Sequence, residues 1–270
     1  MRIKNLKGHS GCLVSLHFDK HTGEKFVRKI SSGQAYNARL QKQLEKQSSF
    51  KDTVIKAPGI IDQGLSDGLF YFDMEFIKGQ TLSEVCLRRD IGSFAGNFNT
   101  VKKYLLEGEN ATTATNDHSS KVYTKLNSIS RNLKTNKYDR YISQLGDLSW
   151  AGLGTSSCHG DLTLENIILS GNDVYFIDFL DSFVECRLID FSKVLQDLIY
   201  FWSWRKYERK PIVKNIRLLS EMRDNKLYAE NRQVIQALMM LNMLRILPYT
   251  EDSETISYLD LCLSDISGRI

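Results

Sequence analysis

Short apolar runs separated by turn residues dominate the first part of the chain. Residues 12–18 and 24–30 are two such runs on either side of an Asp-Lys-His-Thr-Gly turn, and this pattern predicts a pair of strands. Residues 54–61, which are interrupted by a Pro-Gly pair, and residues 69–77 predict further strands. The beginning of the chain is therefore expected to be mainly β-structure.

A helical period occurs once in this region and dominates the rest of the chain. Tyr36, Leu40 and Leu44 recur every fourth residue and predict an amphipathic helix. Farther along, Thr81 and Glu84 have the spacing of a capping box, which marks the start of another helix. The predicted helices are 36–47, 81–88, most of 121–145, 191–204, 213–228, 232–247 and 253–263.

One short β-rich segment interrupts the helical part. Residues 167–177 consist of two apolar runs around a Gly-Asn-Asp turn, which predicts a hairpin. The polar stretch 108–117 predicts an exposed loop. Together these patterns indicate an α+β chain with a small β-rich N-terminal lobe, residues 1–77, and a larger helical C-terminal lobe, residues 78–270.

Composition and charge indicate an ordinary soluble protein. The chain has 270 residues, 42% of them apolar and 25% charged, and a formal net charge of +4. No apolar run is long enough to span a bilayer, and the N-terminus lacks the pattern of a secretory signal. The five cysteines are scattered without a Cys-x-x-Cys pair, which favours reduced thiols in a cytoplasm. The densest basic stretch, residues 205–210, is interpreted as a solvated helix end, so no nucleic-acid partner is expected.

Three polar residues around the predicted hairpin form the strongest functional signal. Asp161 and Asn166 begin and end a short loop before its first strand, and Asp178 follows its second strand. Because a hairpin brings its ends together, these side chains are expected to cluster. Phosphoryl transfer needs oxygen ligands for Mg²⁺ and a carboxylate that accepts the proton of the attacking hydroxyl. The spacing predicts Asn166 and Asp178 as metal ligands and Asp161 and Asn166 as catalytic residues. The alternative is that these residues only cap a turn and end a strand.

The same segment resembles the catalytic segment of known kinases. Protein kinases have His-Arg-Asp, four residues, Asn, and then Asp-Phe-Gly. Here a His-Gly-Asp sequence ends at Asp161, Asn166 follows, and an Ile-Asp-Phe sequence is centred on Asp178. These variants look like the aminoglycoside phosphotransferase and choline kinase families. The resemblance implies a two-lobed protein-kinase-like fold that uses ATP and Mg²⁺ to phosphorylate a hydroxyl group of a small molecule.

A glycine-containing segment near the N-terminus is a candidate phosphate loop. Gly8 and Gly11 would let backbone N–H groups approach phosphates closely, and Ser10 would add a hydroxyl. The same Gly-x-Ser-Gly sequence is also a common turn, but its position ahead of the strand that carries Lys29 favours the phosphate loop. In the families that this chain resembles, a strand lysine binds the α- and β-phosphates, which implies that role for Lys29.

The partner of Lys29 departs from the family pattern. Related kinases pair this lysine with a glutamate on the following helix, but the helix here offers only Glu45. Glu45 follows Leu44 and is expected to lie off the inward face, where Gln41 or Gln43 would act instead. The choice among these three residues stays open at the level of sequence.

Residues 74–82 resemble the hinge between the lobes of such kinases. The resemblance implies that the carbonyl group of Glu75 and the amide group of Ile77 bind the adenine. A strand followed by a glycine turn and a helix is equally compatible with this segment.

Several neighbouring residues are expected to support the site rather than to react. His159 is interpreted as a scaffold residue that holds the catalytic loop, and Asp190 as the cap of a helix that braces it. Cys158 is expected to be a buried thiol rather than a nucleophile. Asp181 and Glu185 are either solvated acids or ligands of a second metal or of a cationic substrate group.

The predicted function is phosphorylation of a small molecule such as a sugar, a polyol or an amino alcohol. The sequence His-Gly-Asp-Leu-Thr-Leu-Glu-Asn with Ile-Asp-Phe-Leu-Asp is similar to phosphotransferase-like proteins encoded among bacterial surface-polysaccharide genes, which implies a role in capsular polysaccharide biosynthesis. The alternatives are a catalytically silent nucleotide-binding regulator, and a kinase or nucleotidyl transferase that acts on a protein. The sequence does not indicate the oligomeric state.

Overall fold

The strands of the protein are concentrated at its beginning. The structure is a computed structural model that describes residues 1–6, 12–88, 92–107, 115–151 and 153–270. Within these residues the strands are β1 (Arg2–Leu6), β2 (Cys12–Phe18), β3 (Lys25–Ser31), β4 (Ile55–Lys56), β5 (Ile60–Ser66), β6 (Leu69–Glu75), β7 (Gln80–Thr81), β8 (Thr115–Asn116), β9 (Leu153–Gly154), β10 (Ile167–Ser170) and β11 (Asp173–Phe176).

All but one of the described α-helices follow the first six strands. This order confirms the predicted α+β arrangement. The helices are α1 (Asn37–Ser49), α2 (Leu82–Leu87), α3 (Gly92–Glu107), α4 (Ser119–Asn132), α5 (Asp139–Gly146), α6 (Arg187–Tyr200), α7 (Ile212–Arg223), α8 (Lys226–Leu244) and α9 (Ser253–Ser267).

Some element bounds match the predicted ones and others differ. The capping box of α2 is present, with the Thr81 hydroxyl accepting from the Glu84 amide. The predicted helix 121–145 is two helices, because a short 3₁₀ turn at Asn136–Tyr138 separates α4 from α5. Strand β1 was not predicted, since most of its residues are exposed and it carries no apolar run. Helix α6 begins at Arg187, four residues earlier than predicted.

An antiparallel sheet of five strands, in the order β1-β2-β3-β6-β5, carries helix α1 on one face. Side chains alternate along β3, so Val27 and Lys29 lie on the buried face, while Arg28 lies on the other face and pairs with Asp73 at 2.7 Å. The small core of this sheet consists of Leu16, Val27, Leu40, Leu44, Phe70, Phe72 and Met74. Strand β3 therefore presents one lysine to the interior and one arginine to the outside.

A second sheet joins the first sheet to the helices. Its order is β4-β11-β10-β7, so the predicted hairpin (β10 and β11) is flanked by β4, which lies between α1 and β5, and by β7, which lies between β6 and α2. Strand β4 runs parallel to β11, with Ile55 opposite Val174, and β7 runs antiparallel to β10, with Thr81 opposite Ile168. The hairpin therefore lies where the sheet and the helices meet.

The larger hydrophobic core lies among the helices. Helix α6 is buried on nearly all sides, from Leu188 to Leu198, and packs against α3, α7 and α8. Ile55 of β4 also belongs to this core rather than to that of the first sheet. In the described ranges, no helix has the length and apolar character that crossing a membrane requires.

Candidate active site

His159 ties the loop before Asn166 to the end of the hairpin. Its Nε2 donates to the carbonyl oxygen of Ile177 at 2.7 Å, and its Nδ1 accepts from the amide of Asp161 at 3.2 Å. Burial lowers the pKa of His159. The ring is therefore neutral, with its proton on Nε2, and holds the loop as the sequence predicted.

Asp190 is the buried anchor of the same loop. Its carboxylate accepts hydrogen bonds from the amides of His159 (2.6 Å) and Gly160 (2.8 Å) and from the hydroxyl of Tyr104 (2.7 Å). The prediction that Asp190 caps the start of its helix is wrong, because α6 begins at Arg187 with Cys186 at the N-cap. Two of its three partners, His159 and Gly160, lie on the loop that carries Asp161, so Asp190 braces that loop from inside the helix.

Gly160 is the one residue of the His-Gly-Asp sequence that no other amino acid can replace without a shift of the backbone. Its φ of +91° is in the region that L side chains rarely adopt, and a Cβ atom there would overlap the carbonyl oxygen of Leu180. A hydrogen bond holds the backbone of this loop close to that of Leu180: the Leu180 amide donates to the carbonyl of His159 at 3.1 Å. This contact explains why position 160 is glycine, whereas protein kinases have arginine at the corresponding position.

We therefore expect Gly160→Ala to lower both stability and activity. The added methyl group must push the loop away from Leu180, which displaces the adjacent Asp161. Gly171→Ala is the matched control, because Gly171 also has a positive φ (+60°) but no neighbour within 4 Å of its Cβ position. Gly171→Ala should lower the free energy of unfolding by only about 1–2 kcal/mol. Equal losses of stability and of kcat in the two variants would contradict the steric argument.

Asp161 is held by a lysine that the sequence reasoning did not identify. The Nζ of Lys193, on α6, lies 2.9 Å from Oδ1 of Asp161, and the Lys193 side chain is almost fully buried. Burial would raise the pKa of Asp161, but the charges of Lys193 and Arg245 lower it below its usual value. The carboxylate is therefore ionised, as a proton acceptor must be.

Removing this ammonium should change the pH dependence of the reaction. Because Asp161 must be ionised to accept a proton and Lys193 lowers its pKa, Lys193→Met should move the acidic limb of the kcat–pH profile to higher pH. Lys193→Arg keeps the positive charge and should restore most of the wild-type profile. An acidic limb that stays in place in Lys193→Met would show that Lys193 has only a structural role.

Asn166 and Asp178 lie at the two ends of the hairpin, as its topology requires. The amide of Ile177 donates to the carbonyl of Asn166 at 3.0 Å, which closes the end of the hairpin. The side-chain amide of Asn166 donates to the carbonyl of Asp161 at 2.8 Å and so links the two predicted catalytic residues. Asp178 has a φ of +63°, an unfavourable conformation that a non-glycine residue keeps only where its surroundings impose it.

Lys29 connects the first sheet to this hairpin. Its Nζ donates to Oδ1 of Asp178 at 2.5 Å and to Oε1 of Gln43 at 2.8 Å, and the lysine is only 2% exposed. Burial alone would lower the pKa of Lys29, but the carboxylate of Asp178 raises it above the usual value. The ammonium is therefore charged in the interior of the protein.

The structure also identifies the partner of Lys29 on helix α1. Gln43 is buried and makes this contact, and its amide donates to the hydroxyl of Tyr36 at 3.2 Å. Gln41 and Glu45 are exposed on the same helix. A neutral amide thus takes the place of the family glutamate, so Asp178 supplies the negative charge that faces Lys29.

The donor atoms at the hairpin fit a magnesium ion that phosphate groups help to hold. The described residues contain no group of three or more His, Cys, Asp or Glu side chains arranged for a metal. With Nδ2 of Asn166 and Oδ1 of Asp178 engaged as above, one amide oxygen and one carboxylate oxygen are left without a protein partner in the part of the chain that the structure describes. Mg²⁺ commonly takes one or two protein oxygens together with substrate phosphates.

Asp197 is a second buried carboxylate on α6 that supports the catalytic segment. It accepts from the amide of Leu164 (2.6 Å) and from the amide (2.7 Å) and hydroxyl (2.8 Å) of Ser203. Burial raises its pKa to about 6, although these hydrogen bonds oppose the shift. Asp197 thus fixes the short turn that leads to Asn166. Sequence reasoning did not identify this role, although a charged residue within an otherwise apolar helix indicates a buried polar contact.

The acidic residues beyond Asp178 pair with lysines of helix α1. Asp181 lies 3.6 Å from Lys42, and Glu185 lies 2.9 Å from Lys46. The thiol of Cys158 donates to Glu185 at 3.3 Å, and burial raises its pKa well above the usual value, so it is not a thiolate nucleophile. These ion pairs connect α1 to the loop that follows the hairpin.

The two predicted hinge residues lie at the end of β6. The amide of Glu75 donates to the carbonyl of Gly59 at 2.9 Å, and the Glu75 carboxylate accepts from the amide of Gly59 at 2.9 Å. Among the described residues, the amide of Ile77 has no hydrogen-bond partner, so it is available to a ligand. The predicted phosphate-loop residues Gly8, Ser10 and Gly11 lie outside the residues that the structure describes.

Comparison with protein families assigns the chain. A model described as the phosphotransferase enzyme family (APH) matches residues 15–213, which is well over half of the chain. The protein therefore belongs to the phosphotransferase enzyme family. This confirms the predicted family and the prediction of an enzyme that phosphorylates small molecules. Comparison with curated protein sequences gives no match.

Solved structures share the fold over almost the whole chain. A thermostable mutant of aminoglycoside phosphotransferase APH(4)-Ia, in a ternary complex with ADP and hygromycin B, has a TM-score of 0.65 at 10% identity and covers 98% of this chain and 92% of its own. A putative fructosamine-3-kinase from Haemophilus somnus has 0.61 at 14%, covering 99% and 91%. Ethanolamine kinase from Plasmodium vivax has 0.53 at 14%, covering 97% and 81%. The two-lobed kinase-like fold is thereby confirmed.

Proposed function

We propose that this protein transfers the γ-phosphoryl group of ATP to a hydroxyl group of a small molecule, with Mg²⁺ as cofactor. The observation that carries the proposal is the 2.5 Å ion pair between Lys29 and Asp178. It joins a buried lysine of the first sheet to a carboxylate of the hairpin, 149 residues later in the chain. A phosphate-binding cation and a metal-binding carboxylate at one point are what phosphoryl transfer requires.

The proposed place of ATP combines this ion pair with the predicted hinge and the predicted phosphate loop. Residues 1–77 would form the nucleotide-binding lobe, with the adenine on the carbonyl of Glu75 and the unpartnered amide of Ile77. The phosphates would then lie beside Lys29 and under residues 8–11. Mg²⁺, when bound to Asn166 and Asp178, would neutralise charge on the phosphates.

The proposed chemistry needs one proton acceptor and one displacement. The acceptor hydroxyl would lie against Asp161, which takes its proton as the hydroxyl oxygen attacks the γ-phosphorus. The new oxygen–phosphorus bond forms while the bond from the γ-phosphorus to its bridging oxygen breaks, and ADP leaves. Lys193 keeps Asp161 ionised until then, so catalysis consists mainly of positioning and charge stabilisation.

The proposed acceptor is a sugar, a polyol or an amino alcohol used in cell-surface polysaccharide synthesis. The neighbours whose fold this chain shares include proteins named for, or bound to, hygromycin B, ethanolamine and fructosamine, which supports a small hydroxyl compound as the acceptor. One observation favours the non-catalytic alternative, a nucleotide-binding regulator: Lys29 has the neutral partner Gln43 where active relatives have glutamate.

A turnover assay separates these possibilities. ATP consumption with Mg²⁺ would be measured against a panel of sugars, polyols, amino alcohols and nucleosides, with Asp161→Ala as the control. Stimulation by one compound that is lost in the control would support a small-molecule kinase. Binding of Mg–ATP without stimulation by any compound would favour a silent regulator or a protein substrate. AMP rather than phosphate on the product would reveal a nucleotidyl transferase.

A further inference from the structure

Lys46 of helix α1 reaches both loops that adjoin the hairpin. Its ammonium lies 2.9 Å from a carboxylate oxygen of Glu185, in the loop after the hairpin, and 3.5 Å from the sulfur of Cys158, in the loop before it. It also lies 3.3 Å from the position that a Cβ atom of Gly160 would occupy, one residue before Asp161. A single side chain of α1 therefore contacts both segments that position the candidate catalytic residues.

The ion pair of Lys46 with Glu185 is largely shielded from solvent. The Lys46 side chain is only 13% exposed, and the buried thiol of Cys158 donates to the second carboxylate oxygen of Glu185 at 3.3 Å. The neighbouring pair of Lys42 with Asp181 is longer, at 3.6 Å, and its side chains are 62% and 43% exposed. Because exposed ion pairs contribute little, Lys46 makes the stronger of these two links between α1 and the loop.

The two loops that meet at Lys46 are joined to each other through their backbones. The amide of Leu180 donates to the carbonyl of His159 at 3.1 Å. The amide of Ser156 donates to the carbonyl of Glu185, also at 3.1 Å. The loops thus form one unit, and a helix that is fixed to this unit is fixed relative to the candidate catalytic residues that it carries.

Helix α1 needs such a contact because Gln43 is neutral. Lys46 follows Gln43 by three residues, so the two side chains are neighbours on the surface of the helix. Gln43 holds Lys29 at 2.8 Å by a hydrogen bond, without attraction between opposite charges. An outward shift of α1 would take Gln43 away from Lys29, and the ion pair of Lys46 with Glu185 opposes that shift.

We infer that Lys46 is a positioning residue, whose ion pair with Glu185 docks helix α1 on the two loops and thereby aligns Lys29 with Asp178. Related kinases have a glutamate on this helix, whereas here the helix contributes the neutral Gln43 and, three residues later, a charge of the opposite sign. This inference rests on the proposed function and deepens it, because the alignment serves the binding of nucleotide and metal at Lys29 and Asp178.

Lys46→Met should lower both nucleotide affinity and turnover. Methionine keeps the apolar length of the side chain but lacks the ammonium, so α1 is no longer held against the loops. We expect kcat/KM for ATP to fall at least about tenfold, since a misplacement of about 1 Å can lower a rate roughly 10²-fold. Affinity for AMP-PNP with Mg²⁺, measured by calorimetry, should fall as well. Lys46→Arg keeps the charge and should restore most of both values.

Two further variants separate positioning from a loss of stability. Lys102→Met is the matched control, because Lys102 also lies 2.9 Å from a glutamate, Glu221, in a half-buried pair that joins α3 to α7. Its unfolding temperature should fall to a similar extent, while its affinity for AMP-PNP stays at the wild-type value. Glu185→Ala breaks the Lys46 pair from its more exposed side and should lower that affinity even where Lys46→Met folds poorly.

The thiol of Cys158 reports the docking of α1 without any turnover. It is fully buried and contacts both Lys46 and Glu185, so iodoacetamide reaches it only when this junction opens. Burial raises the pKa of Cys158 and the charge of Lys46 opposes that shift, so loss of the charge alone would slow alkylation. We expect the reverse: in Lys46→Met, Cys158 should be alkylated several times faster relative to the other cysteines, which are also buried and would react with it on global unfolding.

The outcomes separate this inference from the proposed function. Phosphorylation of an acceptor by Lys46→Met with the wild-type kcat/KM for ATP would sustain the kinase and overturn the positioning role. Equal losses of AMP-PNP affinity in Lys46→Met and Lys102→Met would also overturn it. Selective alkylation of Cys158 and weaker AMP-PNP binding in Lys46→Met, without phosphoryl transfer to any compound by the wild type, would sustain the positioning role and count against the kinase.

Discussion

Replacing Asp161 with asparagine should lower kcat by about 10²–10⁴-fold, the contribution of a positioned general base. Asparagine keeps the shape of the side chain but cannot accept the proton of the acceptor hydroxyl. It also leaves the buried ammonium of Lys193 without its carboxylate at 2.9 Å. Because the proposed nucleotide contacts lie elsewhere, at Lys29 and Asp178, the KM for ATP should change little.

The matched control for this variant is Asp173→Asn. Asp173 is a carboxylate of the same hairpin, but it lies at the turn, where it pairs with Lys56 and is half-exposed. Its replacement should leave kcat and the unfolding temperature nearly unchanged, because exposed ion pairs contribute little. A kcat for Asp161→Asn within about threefold of wild type would remove the proposed proton acceptor.

Replacing Asp178 with asparagine should abolish turnover for a different reason. The variant loses the carboxylate that we propose as a Mg²⁺ ligand and that faces Lys29 at 2.5 Å. We expect nucleotide affinity to fall strongly when Mg²⁺ is present and to change much less when it is absent. Calorimetric titration with AMP-PNP, with Mg²⁺ and then with EDTA, measures both affinities.

Asparagine is the appropriate substitution at Asp178 because of its backbone. Asn tolerates a positive φ better than Ala does, so the variant should keep the conformation at φ +63°. Asp178→Ala would add backbone strain to the loss of charge and should also lower the unfolding temperature. Unchanged Mg²⁺-dependent binding in Asp178→Asn would show that the metal is held by other residues.

Sequence reasoning predicted that the candidate catalytic residues cluster, because they lie within one short segment. Asp161, Asn166 and Asp178 are separated by a loop and a hairpin, and the geometry of a hairpin is fixed by a few turn residues. Lys29 followed from the resemblance to kinase families in which a strand lysine binds the phosphates. The roles assigned to these residues remain predictions until the variants are measured, whereas their placement close together is a property of the structure.

The partner of Lys29 could not be chosen from sequence, because helix phase decides it. Gln43 lies about 160° around the helix axis from Gln41 and from Glu45, on the opposite flank of the apolar stripe of Leu40 and Leu44. The packing of that stripe into the core of the sheet decides which flank faces Lys29, and it selects Gln43.

The roles of Lys193 and Asp197 depend on tertiary packing. Helix α6 is buried on nearly all sides, so every charged residue in it must have a partner, and this requirement is visible in the sequence as charges within an apolar helix. The identity of each partner is not visible, since it lies more than thirty residues away for Lys193 and Asp161.

The second sheet has a consequence for how the enzyme opens and closes. Two strands outside the first sheet are hydrogen-bonded to the hairpin. They are β4, between α1 and β5, with Ile55 beside Val174, and β7, in the connection from β6 to α2, with Thr81 beside Ile168. Any change in the angle between the first sheet and the helices must therefore twist the hairpin or break its edges. Under the proposed function, nucleotide binding and the alignment of the proposed metal ligands are therefore coupled, and the amide hydrogens of these strands should exchange with solvent as a single cooperative unit.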